Sequence, residues 1–285
     1  MKKILILLLK LIGALFIIGV IGVFAIIIKY RLELPNIQSM VEDYKPQMAT
    51  IIYDKNNNVV DTLSVESREI AKLENISPYV KEAFLSIEDK QFYSHHGLNF
   101  RGITRAIVTT FLKGRPTQGG SSITQQLAKN AFLTPERTFS RKVKEAILTY
   151  QIERTYTKDE ILERYLNEIY FGSGSYGIRN AAEQYFKKDV KDLNIAEAAL
   201  LAGIPNRPTK YDPNRNLENA LYRQKIILKE MYTDGRITKE QYDEALAYKF
   251  ELENEENIKN VPKNTSIIYN KRTKNTYKNP LFIKI

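Results

Sequence analysis

A mostly α-helical protein with an N-terminal transmembrane helix and a short β-hairpin segment is predicted, on three observations. Leu11 to Ile28 is an apolar run of 18 residues without a charge. From Ser77 onward, apolar residues recur at three- and four-residue spacing, the period of a helix with one buried face. Between these regions, two β-branched runs flank an Asn-rich turn, which is the signature of a hairpin.

The apolar run comes first. Counted from Ile4 it is long enough at ~1.5 Å per residue to span a hydrocarbon core of roughly 30 Å, with Lys10 snorkelling to the interface. It ends Ile26-Ile27-Ile28-Lys29-Tyr30-Arg31 with no small-residue cleavage site, so an uncleaved anchor over 1–30 is expected rather than a secretory signal. Lys2, Lys3 and Lys10 against Lys29 and Arg31 bias the N-terminus slightly toward the cytoplasm and the rest of the chain to the far side. The net charge of +10 suits an anionic lipid or a phosphate-bearing substrate. With the chain outside the cell, no nucleic-acid partner is expected. Cysteine is absent, which excludes disulfides, thiolate zinc sites and a Cys nucleophile.

Residues 31–74 read as a stalk, with Pro35 and Pro46, followed by the hairpin of Ala49–Tyr53 and Val59–Leu63. A helical domain is expected over 75–248. Ser77-Pro78 marks a helix start, Thr157 with Glu160 and Thr238 with Gln241 fit capping boxes, and Asp234-Gly235 ends a helix. Residues 249–285 are rich in Asn and Lys without a period and read as a basic, disordered tail.

Three segments carry candidate chemistry. Val80, Ala83, Phe84 and Ile87 form one helical stripe, and Glu88 falls on it; a carboxylate there is either paired or catalytic, and burial makes it a better proton acceptor near neutral pH. Gln118 to Asn130 is a glycine-marked loop opening into a hydroxyl-rich helix start, suited to phosphate or sugar oxygens or simply a Ser-capped helix. Arg141-Lys142-Val143-Lys144-Glu145 reads as a surface i,i+4 pair or, with Leu148 and Ile152 extending the Glu145 face, as a shielded acid. Gly172-Ser-Gly-Ser-Tyr-Gly177 mimics a dinucleotide fingerprint, but it follows a helical pattern rather than a strand and is read as a turn.

Together these segments resemble the peptidoglycan glycosyltransferases, glycosyltransferase family 51, which form the N-terminal half of class A penicillin-binding proteins and also occur as monofunctional transglycosylases. Glu88, Asp89, Phe92, His95 and Gly97 match the first motif. Residues Gly119 to Gln126 match the second, with Ser122 where the family has Thr, and Arg141, Lys142 and Glu145 match the third. Lys158 to Asn167 match a fourth, and Ala202 to Pro208 with Tyr211-Asp212-Pro213 match a later run.

The resemblance implies a lysozyme-like helical domain and inverting transfer of a lipid-pyrophosphate-linked glycan to the 4-hydroxyl of lipid II, on the extracytoplasmic face of a bacterial plasma membrane. It makes Glu88 the base and Glu145 the second acid, which orients groups at the pyrophosphate. Lys129, Arg141 and Lys142 are implied as phosphate-facing cations. Ser121, Ser122, Thr124, Gln125, Gln126 and Asn130 are implied to hold sugar or phosphate oxygens, while Asp89, Phe92 and His95 build the substrate-binding side. No tightly bound cofactor is implied; a divalent cation, Mg or Mn, near Glu145 is a stimulatory option. The expected partners are lipid II, the growing lipid-linked glycan, the membrane and other cell-wall synthesis proteins. The segment from Arg101 to Gly120 is expected to act as a lid.

Two other classes stay in view. A lysozyme-type hydrolase shares a two-carboxylate site but needs neither the anchor nor the cations. An inactive membrane scaffold would be marked by loss of Glu88 or Glu145, and both are present. The Ser-x-x-Lys and Lys-Thr-Gly patterns of a transpeptidase do not occur in these residues, so penicillin-sensitive activity is not expected of them.

Overall fold

The computed structural model describes residues 2–34, 50–53, 59–63, 70–99, 120–136 and 138–250, with isolated positions at 104, 108, 109 and 111. The stalk at 35–49, the hairpin turn at 54–58, most of the expected lid and the tail beyond 250 lie outside the described residues.

Helix α1 spans Lys2–Glu33, past the boundary expected at residue 30. Its last turn is held rather than frayed: Glu33 pairs with Lys144 at 2.8 Å, and the same ammonium stands 5.6 Å from the Tyr30 ring centre. The segment Leu9–Glu33 is long and apolar enough to cross a membrane. The hairpin pairs β1 (Thr50–Tyr53) with β2 (Val59–Leu63) in antiparallel register, Thr50 opposite Leu63, and the register shifts between Ile52 and Tyr53.

Ala71 is buried in the core of the helical domain. Ala71 exchanges hydrogen bonds with Asn167, at 2.8 and 2.9 Å, and Leu73 N–H donates to Glu163. Helices α2 (Pro78–Glu88), α3 (Ile123–Phe132), α4 (Phe139–Thr155) and α5 (Lys158–Glu168) follow. Then come α6 (Ile178–Phe186), α7 (Ile195–Gly203), α8 (Pro208–Tyr211), α9 (Leu217–Thr233) and α10 (Lys239–Ala247). Packing extends to Phe250, whose ring stacks on Phe186, one step into the residues expected to be tail.

α7 is buried along almost its whole length, Ala196 to Gly203. Apart from Glu197, whose carboxylate is paired to Lys188, the run is Ala, Leu and Gly, and so apolar a helix sits at the centre of a bundle; α2 and α9 pack directly against it. α3 packs against α4 and α5 on the other side of the molecule's cleft. Phe84 of α2, fully buried, meets Tyr165 and Phe171 edge-on at 6.0 Å; rings so placed stabilise by about 1.5–3 kcal/mol each through burial alone.

The helix starts are set locally. Capping boxes occur at Ser122/Gln125, Thr157/Glu160, Asn194/Glu197 and Thr238/Gln241. Ser77 caps α2 by position only, because its hydroxyl donates to Leu193 O instead.

Candidate active site

Glu88 closes α2, and Asp89 then leaves helical geometry, which directs the two acids to different surroundings. Glu88 Oε2 accepts from Gln126 Nε2 at 2.7 Å. Burial pushes the Glu88 carboxyl above the ordinary carboxylate range. The Gln126 donor and the charges of Arg223 and Lys129 pull the other way, and Asp89 adds to the rise. The residue is nonetheless only partly enclosed and still reaches solvent.

Asp89 is buried. Its Oδ2 accepts from Ile123 N–H at 3.2 Å and lies 2.8 Å from His95 Nε2. Gly97 N–H donates to His95 Nδ1 at 3.1 Å, which leaves Nε2 as the protonated ring nitrogen that donates to Asp89. Phe92 is fully buried, with the Lys158 ammonium 4.5 Å from its ring centre and Lys158 paired to Glu153 at 2.8 Å. Asp89, Phe92 and His95 therefore tie the end of α2 to the start of α3.

The hydroxyls at the start of α3 are hydrogen-bonded within the domain. Ser122 and Thr124 face inward. Ser122 Oγ donates to Gly97 O and accepts from Gln125 N–H, while Thr124 Oγ1 donates to Glu153. A hydroxyl has one proton to give, and in this geometry both protons are used within the domain.

Gln125 and Gln126 are consecutive on α3 and hold one acid each. Gln126 donates to Glu88, and Gln125 Nε2 donates to Glu145 Oε1 at 3.3 Å. Glu145, on α4, is buried between donors: Arg141 reaches Oε2 at 2.8 Å and Lys142 bonds Oε1. The pKa of Lys129, one turn along α3, is lowered, mainly by burial, with Glu145 and Glu88 acting to raise it and Arg141 and Lys142 to lower it further. Both Glu145 oxygens thus already accept from cationic or amide groups. Among the described residues no three His, Cys, Asp or Glu side chains gather as a metal site.

A cleft of about 900 Å³ opens along this face, a volume suited to a ligand of several rings. Ser121, Gln126, Lys129, Asn130, Arg141 and Lys142 line one side. Tyr170, Tyr176 and Pro205 line another, and the sequence reading had assigned none of these to the site. Their signal was the glycine loop itself: Gly172, Ser173, Gly174 and Gly177 all take positive φ, folding the chain back so that Tyr170 and Tyr176 pair as an isolated bridge with rings 4.7 Å apart.

The site belongs to an enzyme-like helical domain: two acids are held by neighbouring amides beside a cation-lined cleft, in a chain with one helix long and apolar enough to cross a membrane. The chain belongs to the transglycosylase family: it matches the Transglycosylase domain over residues 56–232, and with that assignment comes the lysozyme-like helical fold expected from the motifs. Penicillin-binding protein 1A of Aquifex aeolicus (strain VF5) is 44% identical over 246 residues, covering 86% of this chain and 33% of that protein. Penicillin-binding protein 1A of Neisseria flavescens is 42% identical over 248 residues, covering 87% and 30%. The chain spans about a third of the length of these relatives. A crystal structure of penicillin-binding protein 1A from Haemophilus influenzae, 23% identical, superposes with a TM-score of 0.41 over 73% of this chain and 22% of that one.

Proposed function

We propose that this transglycosylase polymerises lipid II into glycan strands, with Glu88 as the general base. The observation that carries the reading is the pair Gln125–Gln126: both line the cleft with Lys129, Arg141 and Lys142, and they hold Glu145 and Glu88 from adjacent positions.

The reaction needs a proton acceptor at one end and a home for negative charge at the other. Glu88 removes the proton of the acceptor 4-hydroxyl as that oxygen attacks the anomeric carbon of the donor. The bond from that carbon to the pyrophosphate oxygen breaks, its electron pair leaves with the pyrophosphate, and configuration inverts. Lys129, Arg141 and Lys142 receive the leaving charge. Arg141 Nε is buried with no hydrogen-bond partner among the described residues, a donor left over for an incoming oxygen. Glu145 keeps Arg141 and Lys142 in place, Ser121 and Asn130 offer polar contacts on the same wall, and Ser122, Thr124 and Gln125 hold the helix start that aims them. No step runs through a metal ion. The anchor sets the cleft at the outer face of the membrane, where the lipid-linked substrate is presented.

The test is polymerisation of labelled lipid II by the detergent-solubilised protein beside Glu88→Gln. The wild type is expected to make strands, with the variant slower by roughly 10²–10⁴-fold, the usual worth of a general base. A folded wild type that makes no polymer across several detergents would overturn the reading. Cleavage of finished peptidoglycan by the same sample would then favour a hydrolase.

A further inference from the structure

Two features of the sequence have no part in the proton and charge transfers: the glycine loop Gly172 to Gly177 and the Tyr211-Asp212-Pro213 run. The fold joins them. Asp212 follows α8 and is buried, and both of its carboxylate oxygens accept hydrogen bonds. Ser173 Oγ donates to Oδ2 at 2.6 Å, and Asn214 N–H donates to Oδ1 at 3.0 Å. The Tyr185 hydroxyl of α6, which donates to Phe171 O at 2.8 Å, lies 3.3 Å from Oδ1. Arg215 Nε stands 3.6 Å from Oδ2. The carboxylate reaches the loop only because residue 172 is glycine: a Cβ there would come 2.9 Å from Asp212 Oδ2.

Ser173 is one of two non-glycine residues at positive φ among the described residues, at +44°, a conformation that a side chain makes costly. Its bond to a buried carboxylate is of the stronger, charge-assisted kind and offsets that cost. The next residue carries the effect to the cleft. Gly174 N–H donates to the Tyr170 hydroxyl at 3.2 Å, and the Tyr176 ring centre lies 4.7 Å from that of Tyr170. Both tyrosines line the cleft, as does Pro208 at the start of the short helix that Asp212 caps. Lys129, Arg141 and Lys142 line a different side, so the aromatic side is the one suited to the uncharged faces of sugar rings.

We propose that Asp212 is a positioning residue for substrate binding: through Ser173 it fixes the loop tip that holds Tyr170, and so sets the aromatic side of the cleft that receives the glycan. The inference rests on the cleft taking a lipid-linked glycan, and its test therefore includes a readout of ring position that needs no turnover. In protein labelled with 3-fluorotyrosine, the fluorine resonances of Tyr170 and Tyr176 are assigned by their loss in Y170F and Y176F. Titration of the wild type with a short-chain lipid II analogue is expected to move the Tyr170 resonance. S173A cuts the link while leaving Asp212 its other partners, and D212A removes the anchor. Both variants are expected to shift or broaden the two resonances before any ligand is added, and S173A carries the comparison if D212A fails to fold. KM for the analogue is expected to rise roughly three- to tenfold, the usual worth of one hydrogen bond, with kcat staying close to the wild-type value. A merely structural lesion would lower the amount of active enzyme, and so kcat, and leave KM alone. Resonances in S173A that match the wild type, an unchanged KM, or a Tyr170 resonance that ignores the analogue would each overturn the proposal. If the wild type makes no polymer, yet Tyr170 responds to the analogue and S173A weakens that response, Asp212 keeps its role and only the polymerase reading falls.

Discussion

Glu88 is held where a carboxylate is least comfortable, and that discomfort is measurable apart from catalysis. Burial is the largest influence on it and raises its pKa in the folded protein. The folded state therefore binds the proton more readily than the unfolded chain. The stabilisation this gives is complete below the unfolded value near ~4.3 and is lost as pH rises through the folded value. At neutral pH the ionised group thus counts against folding. E88Q, which keeps the shape and can still accept from Gln126, is expected to unfold at a higher temperature than the wild type at pH 8, by about 2–4 °C for each kcal/mol recovered. The gap should close toward pH 4. Thermal unfolding of both proteins across that range decides it, and coincident midpoints at pH 8 would mean that the charge is not costly. A gain in stability with a loss of turnover is the exchange expected where a functional group is kept against the fold's preference.

The turn between α2 and α3 shows how elements are fastened to each other. Gly97 has φ of +85°, and a Cβ there would come 2.7 Å from Thr149 Cγ2 and 2.8 Å from Glu153 Cγ on α4. Gly174 has a similar φ of +79° with open space around it. Gly174→Ala is expected to cost only the conformational strain, ~1–2 kcal/mol. Gly97→Ala adds overlap with α4 and should cost about 2–4 kcal/mol, while weakening the bond from Ser122 to Gly97 O that seats α3. Chemical unfolding of the two variants separates the terms; equal losses would remove the role assigned to close packing. The same turn marks what the sequence could and could not say. The boxes at Thr157/Glu160 and Thr238/Gln241 were legible because both partners lie within one turn. Ser122/Gln125 is the same local pattern, but the hydroxyl-rich run around it also suits ligand oxygens, and nothing local tells Thr124 that its partner is Glu153 on another helix. Glu88 and Glu145 were legible through helical stripes. The bond from Ser173 to Asp212 was not, because its partners lie 39 residues apart in sequence and meet only in the fold.

At the scale of the whole molecule, the membrane helix and the catalytic cleft share α4. Lys144 faces α1, taking Glu33 and the Tyr30 ring, and the next residue, Glu145, turns inward to the cleft with Arg141 and Lys142. The attachment is shallow: both partners of the Glu33–Lys144 pair keep substantial exposure, 41% and 27% of their side chains, so the pair adds little to stability. Its effect should therefore appear in how substrate is met rather than in stability. Lys144→Glu places two like charges at the contact and is expected to lower the unfolding midpoint by no more than about 2–4 °C. For lipid II embedded in vesicles, KM is expected to rise roughly three- to tenfold, because an anchored cleft with a wandering orientation meets its membrane-bound substrate at a lower effective concentration. For a short-chain lipid II analogue free in solution, KM and kcat should stay near the wild-type values, since the residues that touch substrate are unchanged. Scrambling Leu11 to Ile28 while keeping composition should alter neither assay, because the span need only be apolar and long enough. Equal rises in KM for the embedded and the soluble substrate would locate the effect of Lys144 in the cleft, through its neighbour Glu145, and not in the seating of the domain on its anchor.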